Sequence, residues 1–438
     1  MTRWIAAVLV VAAYAALCIA AMRAHRRRRA SAAPDDDEHV IVAYGSQTGF
    51  AEQLARHAAR SLHGAGVPAR VMALSDLSTK ALERARRALF VVSTSGEGDP
   101  PDNAVLFARR LLGADLALSG LRYGMLALGD RSYARYCGFG RSVDGWLRER
   151  GAQPMFERLD VDSGDEAALR TWHQRLGDLA GTDVGHAWDA GEFAPWRLVE
   201  RRWLNRGSAG GAVFHLELQP DGGRSWQAGD LLQVVAPGDP LRPRDYSIAS
   251  VPSDGRVHLL VRQQRHADGT LGVASGWLTR DAAIGSEVRA RLRPNDGFRI
   301  AGNEARPLIL IGNGTGLAGL RAHLKARPSG RHWMIFGERN AAHDFLHRAE
   351  IEAWRERKVV ERLDLVFSRD QAPRRYVQHV LVESARDVRR WLADGAAVYV
   401  CGSRDGMAAG VHAALIEVAG ANAVEQLLQE GRYRRDVY

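Results

Sequence analysis

Two short loops rich in glycine and hydroxyl side chains constrain this chain more than any other feature. Gly45-Ser46-Gln47-Thr48-Gly49 follows the apolar run Val40–Tyr44, and Gly312-Asn313-Gly314-Thr315-Gly316 follows Pro307–Ile311. Each run reads as a buried parallel strand, and each loop precedes a helical pattern. A loop of this kind turns backbone N–H groups and a helix N-terminus toward an anion. Two of them, far apart in one chain, predict two phosphate-bearing cofactors. That points to electron transfer between cofactors more than to one substrate in one pocket.

The chain has 438 residues, 46% of them hydrophobic and 25% charged, which suits a globular protein of several domains. Cys18, Cys137 and Cys401 form no C-x-x-C pair, so neither a disulfide framework nor a zinc site is expected, and a reducing compartment fits. Net charge is +9. Lys and Arg are scattered apart from one run, with no basic helix interleaved with aromatics, so nucleic acid is not an expected partner. No metal-ligand set and no haem or iron–sulfur ligand set stands out.

Trp4 to Met22 is an uninterrupted apolar segment without charge, followed at once by Arg23 and Arg26-Arg27-Arg28-Arg29, with only Arg3 before it. Its length can span a bilayer core. A cleaved signal would carry its charge ahead of the apolar stretch. The expectation is an uncleaved transmembrane anchor with its C-terminal side in the cytoplasm. Ser31–Glu38 then reads as a solvated tether, so that residues 1–38 form anchor and tether.

Residues 39–180 alternate strand-like and helical patterns. The strand runs are Val40–Tyr44, Ala69–Leu74, Ala88–Ser93, Tyr123–Leu128 and Met155–Leu159, and Ala51, Leu54, Ala55, Ala58 and Leu62 repeat at helical spacing. A doubly wound α/β sheet is predicted, and ligands bind such sheets at the carboxyl ends of the strands. Three loops fall there: Gly45–Gly49, Ser93–Ala104 and Gly129–Phe139. The first has no lysine, so it is not a nucleotide P-loop. It suits a phosphomonoester held by backbone and hydroxyls. Tyr133 in the third can stack on a planar ring.

Residues 181–195, Gly-rich and poor in aliphatics, read as a linker. Residues 196–303 carry short alternating runs, Val213–Leu218, Leu231–Val235, Tyr246–Ser250, Val257–Val261 and Glu287–Leu292, which predict an antiparallel barrel. From 304 to 438 the α/β pattern returns, with buried runs at Leu308–Ile311, Trp333–Phe336, Leu363–Phe367 and Ala397–Cys401.

The motifs, in order, resemble those of the NADPH-dependent diflavin reductases, the family of cytochrome P450 reductase and the sulfite reductase flavoprotein. In the first unit these are Tyr44–Gly49, Gly96-Glu97-Gly98-Asp99-Pro100-Pro101 and Leu128-Gly129-Asp130 through Cys137. The resemblance implies a flavodoxin-like domain in which Ser46, Gln47, Thr48 and Gly49 hold the FMN phosphate. Thr94, Ser95, Gly96, Gly98, Gly129 and Asp130 line the site, and Tyr133 stacks on the flavin. Phe50 stands where Thr is common, and Ser95 where P450 reductases carry a stacking Tyr.

The second half resembles a ferredoxin–NADP reductase module. Arg244-Asp245-Tyr246-Ser247 matches the FAD motif, Gly272-Val273-Ala274-Ser275 the FAD pyrophosphate loop, and Gly314-Thr315-Gly316 the NADPH pyrophosphate loop. Ser368, Arg369, Arg375, Tyr376 and Gln378 match the segment that reads the 2′-phosphate. By the same resemblance Arg244 pairs with the FAD diphosphate and Tyr246 lies along the ring. Ser247, Cys401 and Asp436 attend hydride transfer, and Tyr438 shields the flavin. Gly319 replaces a proline, and Gly410 an aspartate of the P450 reductases. The helical insertion of larger members is absent, since only Ala236–Pro243 separates Leu231–Val235 from the FAD motif.

The expected function is an NADPH reductase of the inner membrane with FAD and FMN as cofactors and its catalytic domains in the cytoplasm. The expected partner is an electron acceptor: a haem or membrane redox protein, or a small acceptor. The alternatives are the flavoprotein subunit of a sulfite reductase and a flavin-binding docking module without turnover.

Overall fold

In the computed structural model, the described residues are 39–438 apart from 47, 48, 111, 132, 163 and 185–191. The expected anchor at Trp4–Met22, the tether, Gln47 and Thr48 lie outside them, as does the middle of the expected linker. Among the described residues no single helix is long and apolar enough to cross a membrane.

The first unit is built on β1 (Val40–Gly45), β2 (Ala69–Ala73), β3 (Arg87–Ser93), β4 (Arg122–Gly129), β5 (Gln153–Pro154) and β6 (Leu159–Asp162). The sheet runs β2-β1-β3-β4-β5, with β6 also on β4, and its pairings are parallel. Val40 and Val42 face one apolar core, with Leu54, Leu62 and Trp172, while Ile41 and Ala43 face another, with Phe107 and Trp146. That two-sided burial is why β1 and β3 read as continuous apolar runs. Helices α1 (Phe50–Gly64), α2 (Gly138–Glu149) and α3 (Glu166–Ala180) cover the faces. The expected strand Met155–Leu159 is corrected: pairing breaks across it, and Met155 and Phe156 pack on the core between β5 and β6.

The second unit is the expected barrel. Its strands are β7 (Ala194–Trp203), β8 (Val213–Pro220), β9 (Leu231–Ala236), β10 (Asp239–Ser247), β11 (Val257–Arg262) and β12 (Glu287–Arg293). The order is β10-β9-β12-β7-β8-β11, and an Ile248–Leu259 bridge brings the end of β10 back to β11. Two expectations change. Ala194 and Pro195 belong to β7 rather than to a linker. The strand expected at Tyr246–Ser250 begins earlier, at Asp239, because Pro237-Gly238 turns β9 directly into β10. The missing insertion is therefore replaced by a tight hairpin.

The third unit has β13 (Leu308–Asn313), β14 (His332–Glu338), β15 (Arg362–Phe367), β16 (Ala397–Gly402) and β17 (Tyr433–Val437), in the parallel order β15-β14-β13-β16-β17. Helices α4 (Leu317–Ala326), α5 (Val377–Glu383), α6 (Ala409–Ala419) and α7 (Ala421–Gln429) flank it. The edge strand β17, which carries Asp436 and leads to Tyr438, pairs along β16.

The joints between units differ in kind. Val213, Leu260 and Phe298 of the barrel share one core with Leu310, Leu317 and Tyr399 of the third unit. The cores of the first unit contain only its own residues. Its contacts to the rest include Gln53 Nε2 donating to the Pro294 carbonyl at 2.9 Å and an Arg110–Glu425 ion pair of 2.6 Å. The Arg293 guanidinium lies 4.7 Å from the Phe50 ring centre.

Candidate functional site

The sheet order puts the loops after β1, β3 and β4 side by side, at the point where strand order reverses. They form one wall of a cleft of about 380 Å³ lined by Ser46, Thr94, Ser95, Gly96, Gly129, Asp130 and Tyr133. The Ser46 amide donates to Asn103 Oδ1 at 2.7 Å, while its buried Oγ has no partner. A buried hydroxyl without a partner is costly, and a phosphate oxygen would satisfy it. Gly49 starts α1 in the left-handed region, and Gly96 and Gly98 have φ of +52° and +105°. Ser95 and Asp99 exchange backbone hydrogen bonds of 2.9 Å, which curls the glycine loop over the cleft. This donor set and the freed loop fit FMN.

The opposite wall comes from the barrel and third unit: Gln233, Pro243, Arg244, Arg291, Arg293, Arg404 and Val437. Sequence reasoning assigned Arg244 to the FAD diphosphate rather than to this wall, and missed Arg404. Its guanidinium sits 5.1 Å from the Tyr133 ring centre, across a unit boundary no local pattern reveals.

On β10, Tyr246 is largely covered and burial raises its pKa. Arg244 is partly exposed and 3.4 Å from Asp239 Oδ2. Gly272–Ser275 opens a short helix whose Gly272 cap is unassisted by any side chain, and Val273 above Gly238 is 48% exposed. An exposed guanidinium and a helix start without a side-chain cap are each suited to the FAD diphosphate.

The third unit holds the larger cavity, about 1220 Å³, lined by Gly314, Thr315, Ser368, Arg369, Arg375, Tyr376, Gln378 and Tyr438. Gly316 lies behind it against β16, where a Cβ would overlap the Cys401 carbonyl. Only glycine lets α4 start this close to the sheet, and so aims its N-terminus at the cavity. Ser368 is buried and Arg369 exposed. Arg375 is paired with Glu383. The buried Gln378 Oε1 has no partner. These groups fit a nucleotide with an extra phosphate. Arg262 and Arg339 also line the cavity and were missed by sequence reasoning. Arg262 pairs with Glu338 at 2.9 Å beside Gly314, and burial raises the Glu338 pKa against the pull of Arg262.

Between the two cavities the barrel meets β16 and β17. Ser247 Oγ donates to Asp436 Oδ2 at 2.6 Å, and Cys401 Sγ lies 3.7 Å from the same oxygen. All three residues are buried. Burial pushes Asp436 up to about 6, against the hydrogen bonds from Ser247 and Cys401. Burial first, and then the Asp436 charge, raises Cys401 well above its ordinary range, so it is a thiol at neutral pH. Tyr438 extends past this cluster, 55% exposed, with its hydroxyl 3.3 Å from Thr315 Oγ1. One carboxylate, one hydroxyl and one thiol thus sit beside an aromatic that reaches the phosphate loop.

Residues 42–172 match the flavodoxin family, and residues 310–413 match the oxidoreductase NAD-binding domain. The chain is similar to the flavoprotein alpha-component of NADPH sulfite reductase from Vibrio cholerae, 28% identical over 91% of this chain and 87% of that protein. The same component from Bacillus subtilis is 28% identical over 91% and 89%. That from Neisseria meningitidis gives 28% over 91% and 89%. With its flavodoxin unit, barrel and nucleotide unit in this order, the chain belongs to the NADPH-dependent diflavin reductases, enzymes that use FMN, FAD and NADPH.

Proposed function

We propose that this reductase delivers electrons from the FMN cleft to an acceptor protein at a membrane surface. The observation that carries the direction of flow is the meeting of Ser247, Cys401, Asp436 and Tyr438 between the nucleotide cavity and the flavin cleft. When bound, FAD accepts a hydride and FMN passes electrons on singly. The chain's own residues do the rest. Arg369 and Ser368 bind the 2′-phosphate and so select NADPH. Tyr438 covers the flavin face until the nicotinamide takes its place. The Asp436 carboxylate, oriented by Ser247, favours the ring that turns cationic as hydride leaves it. The small Cys401 thiol leaves room beside the reacting carbon and shields it from water.

The joint of the first unit supports delivery to a partner. Exposed ion pairs such as Arg110–Glu425 contribute only about 0–1 kcal/mol each. A unit held in this way separates far more readily than one sharing a core. The apolar Trp4–Met22 and the arginines after it support a membrane location with the catalytic units in the cytoplasm. A second reading, the flavoprotein half of a sulfite reductase, is favoured by the names of the relatives.

The experiment is anaerobic addition of NADPH to the purified yellow protein. Bleaching of the flavin absorbance is expected, and its absence would sink the reductase reading. Affinity capture from membranes is then expected to retain a redox protein. Sulfite-dependent NADPH oxidation in membrane-free extract would favour the second reading instead.

A further inference from the structure

Arg404 belongs to the third unit yet reaches the first. It follows β16 and Ser403, and its backbone N–H donates to the main-chain oxygen of Tyr438 at 3.1 Å. Tyr438 N–H in turn donates to the Gly402 carbonyl at 3.1 Å. The loop and the last residue of β17's extension are therefore tied together. The Arg404 side chain crosses into the FMN cleft. Its guanidinium is 5.1 Å from the Tyr133 ring centre and lies against Gly96, within reach of a Cβ built there. Gly96 has φ of +52°, so this position favours glycine by conformation.

The charges around the cleft make this placement meaningful. Arg244, Arg291, Arg293 and Arg404 line its far wall with Asp245, which pairs with Arg293, and Asp130 and Arg135 line its near wall, so cations outnumber carboxylates around the cleft. FMN gains negative charge when reduced. A guanidinium beside its ring interacts more strongly with the reduced form than with the oxidised form. By linkage, that preference does two things. It raises the FMN potential, and it makes reduced FMN hold the first unit against the rest of the molecule more tightly than oxidised FMN.

We propose that Arg404 is a positioning residue that clasps the FMN domain to the nucleotide-binding unit and favours reduced FMN in the docked arrangement. Its backbone tie to Tyr438 connects the clasp to the nicotinamide site. When a nicotinamide displaces Tyr438, the loop that carries Arg404 loses one of its anchors. The inference rests on the assignment of the cleft to FMN.

The test uses the full chain in detergent, as wild type, Arg404→Ala and Arg404→Lys. Heat release first establishes that FMN is bound. A chain that yields none would undo the assignment of the cleft itself. Redox titration before and after FMN removal then isolates the FMN couple. Arg404→Ala is expected to lower the preference for reduced FMN about tenfold, close to 30 mV for a two-electron couple. Small-angle scattering of the reduced protein is expected to show a more extended population in Arg404→Ala than in wild type. Arg404→Lys, which keeps the charge, is expected to retain most of both properties. FMN bound with an unmoved potential and unchanged scattering in Arg404→Ala would overturn the proposal. So would an Arg404→Lys variant that falls as far as Arg404→Ala, because charge would then not be the agent.

Discussion

Ser247 and Asp436 are 189 positions apart in the chain and share a buried hydrogen bond of 2.6 Å. One comes from the barrel strand β10 and the other from the edge strand β17. Burial leaves Asp436 with a pKa of about 6. Its carboxylate form therefore predominates only above that pH. Hydride transfer from NADPH, followed by stopped-flow bleaching, is expected to rise with pH through about 6. Asp436→Asn is expected to remove that inflection and to slow the step roughly 100-fold. Because the folded pKa is raised, the contribution of Asp436 to stability is full below about 4 and is lost as pH climbs to about 6. The loss is on the order of 3 kcal/mol. Urea unfolding of Asp436→Asn is expected to lack that part of the pH dependence.

Arg369 stands exposed at the end of β15 in the nucleotide cavity. A charge-assisted hydrogen bond to a phosphate contributes about 1.5–3 kcal/mol. Arg369→Ala is expected to raise KM for NADPH by roughly 10- to 100-fold and to leave NADH nearly unchanged. Equal losses for both nucleotides would reject its role.

Gly316 has backbone on its open side, the Cys401 carbonyl and the Gly402 Cα. Neither is a flexible side-chain end that can step aside. Gly316→Ala is expected to cost about 1–3 kcal/mol or more, read as a lower thermal midpoint, and to weaken NADP binding. A variant as stable as the parent would show that α4 can shift from the sheet freely.

A histidine cluster joins the barrel to the third unit. The His215 ring centre lies 4.9 Å from that of His258 and 5.1 Å from that of His347. Arg321 faces His258 at 3.2 Å, Glu217 faces His215 at 3.3 Å, and Glu350 faces His347 at 3.5 Å. Burial lowers His215 to about 4 and His347 to about 2, with the neighbouring cations adding to the effect. Depressed histidine pKa values stabilise the fold above the unfolded value near 6.5, and that stability is lost as pH falls. Acid unfolding is expected to begin below about pH 6.5. His347→Asn is expected to flatten it, since Asn tolerates the positive φ of 51° found there. An unchanged acid profile in that variant would place the acid lability elsewhere.

Much of the fold was legible because its strands are buried on two faces. Val40–Tyr44, Ala88–Ser93 and Leu308–Ile311 appear as continuous apolar runs, and each ends in a loop at the carboxyl edge of a sheet. Where the pattern is weaker the reading slipped. Met155–Leu159 carries a Glu-Arg pair in its middle, and the strand divides around it. Tyr433–Val437 carries three charged residues in a row, Arg434, Arg435 and Asp436, and pairs only on one side, so no strand pattern marks it.

The sequence by itself determined which ligands this chain is built to hold. Glycine loops, R-x-Y-S and the 2′-phosphate segment are local patterns, because a phosphate is cradled by consecutive N–H groups and near neighbours in the chain. What only the tertiary structure decided is how the sites face one another. Ser247 meets Asp436, Arg262 meets Gly314, and Arg404 meets Tyr133 through contacts between separate units. The Pro237-Gly238 hairpin sets the barrel's β9 and β10, and the shared core fixes the barrel on the nucleotide unit. Such contacts depend on the summed packing of whole domains, and no local spacing of residues encodes them.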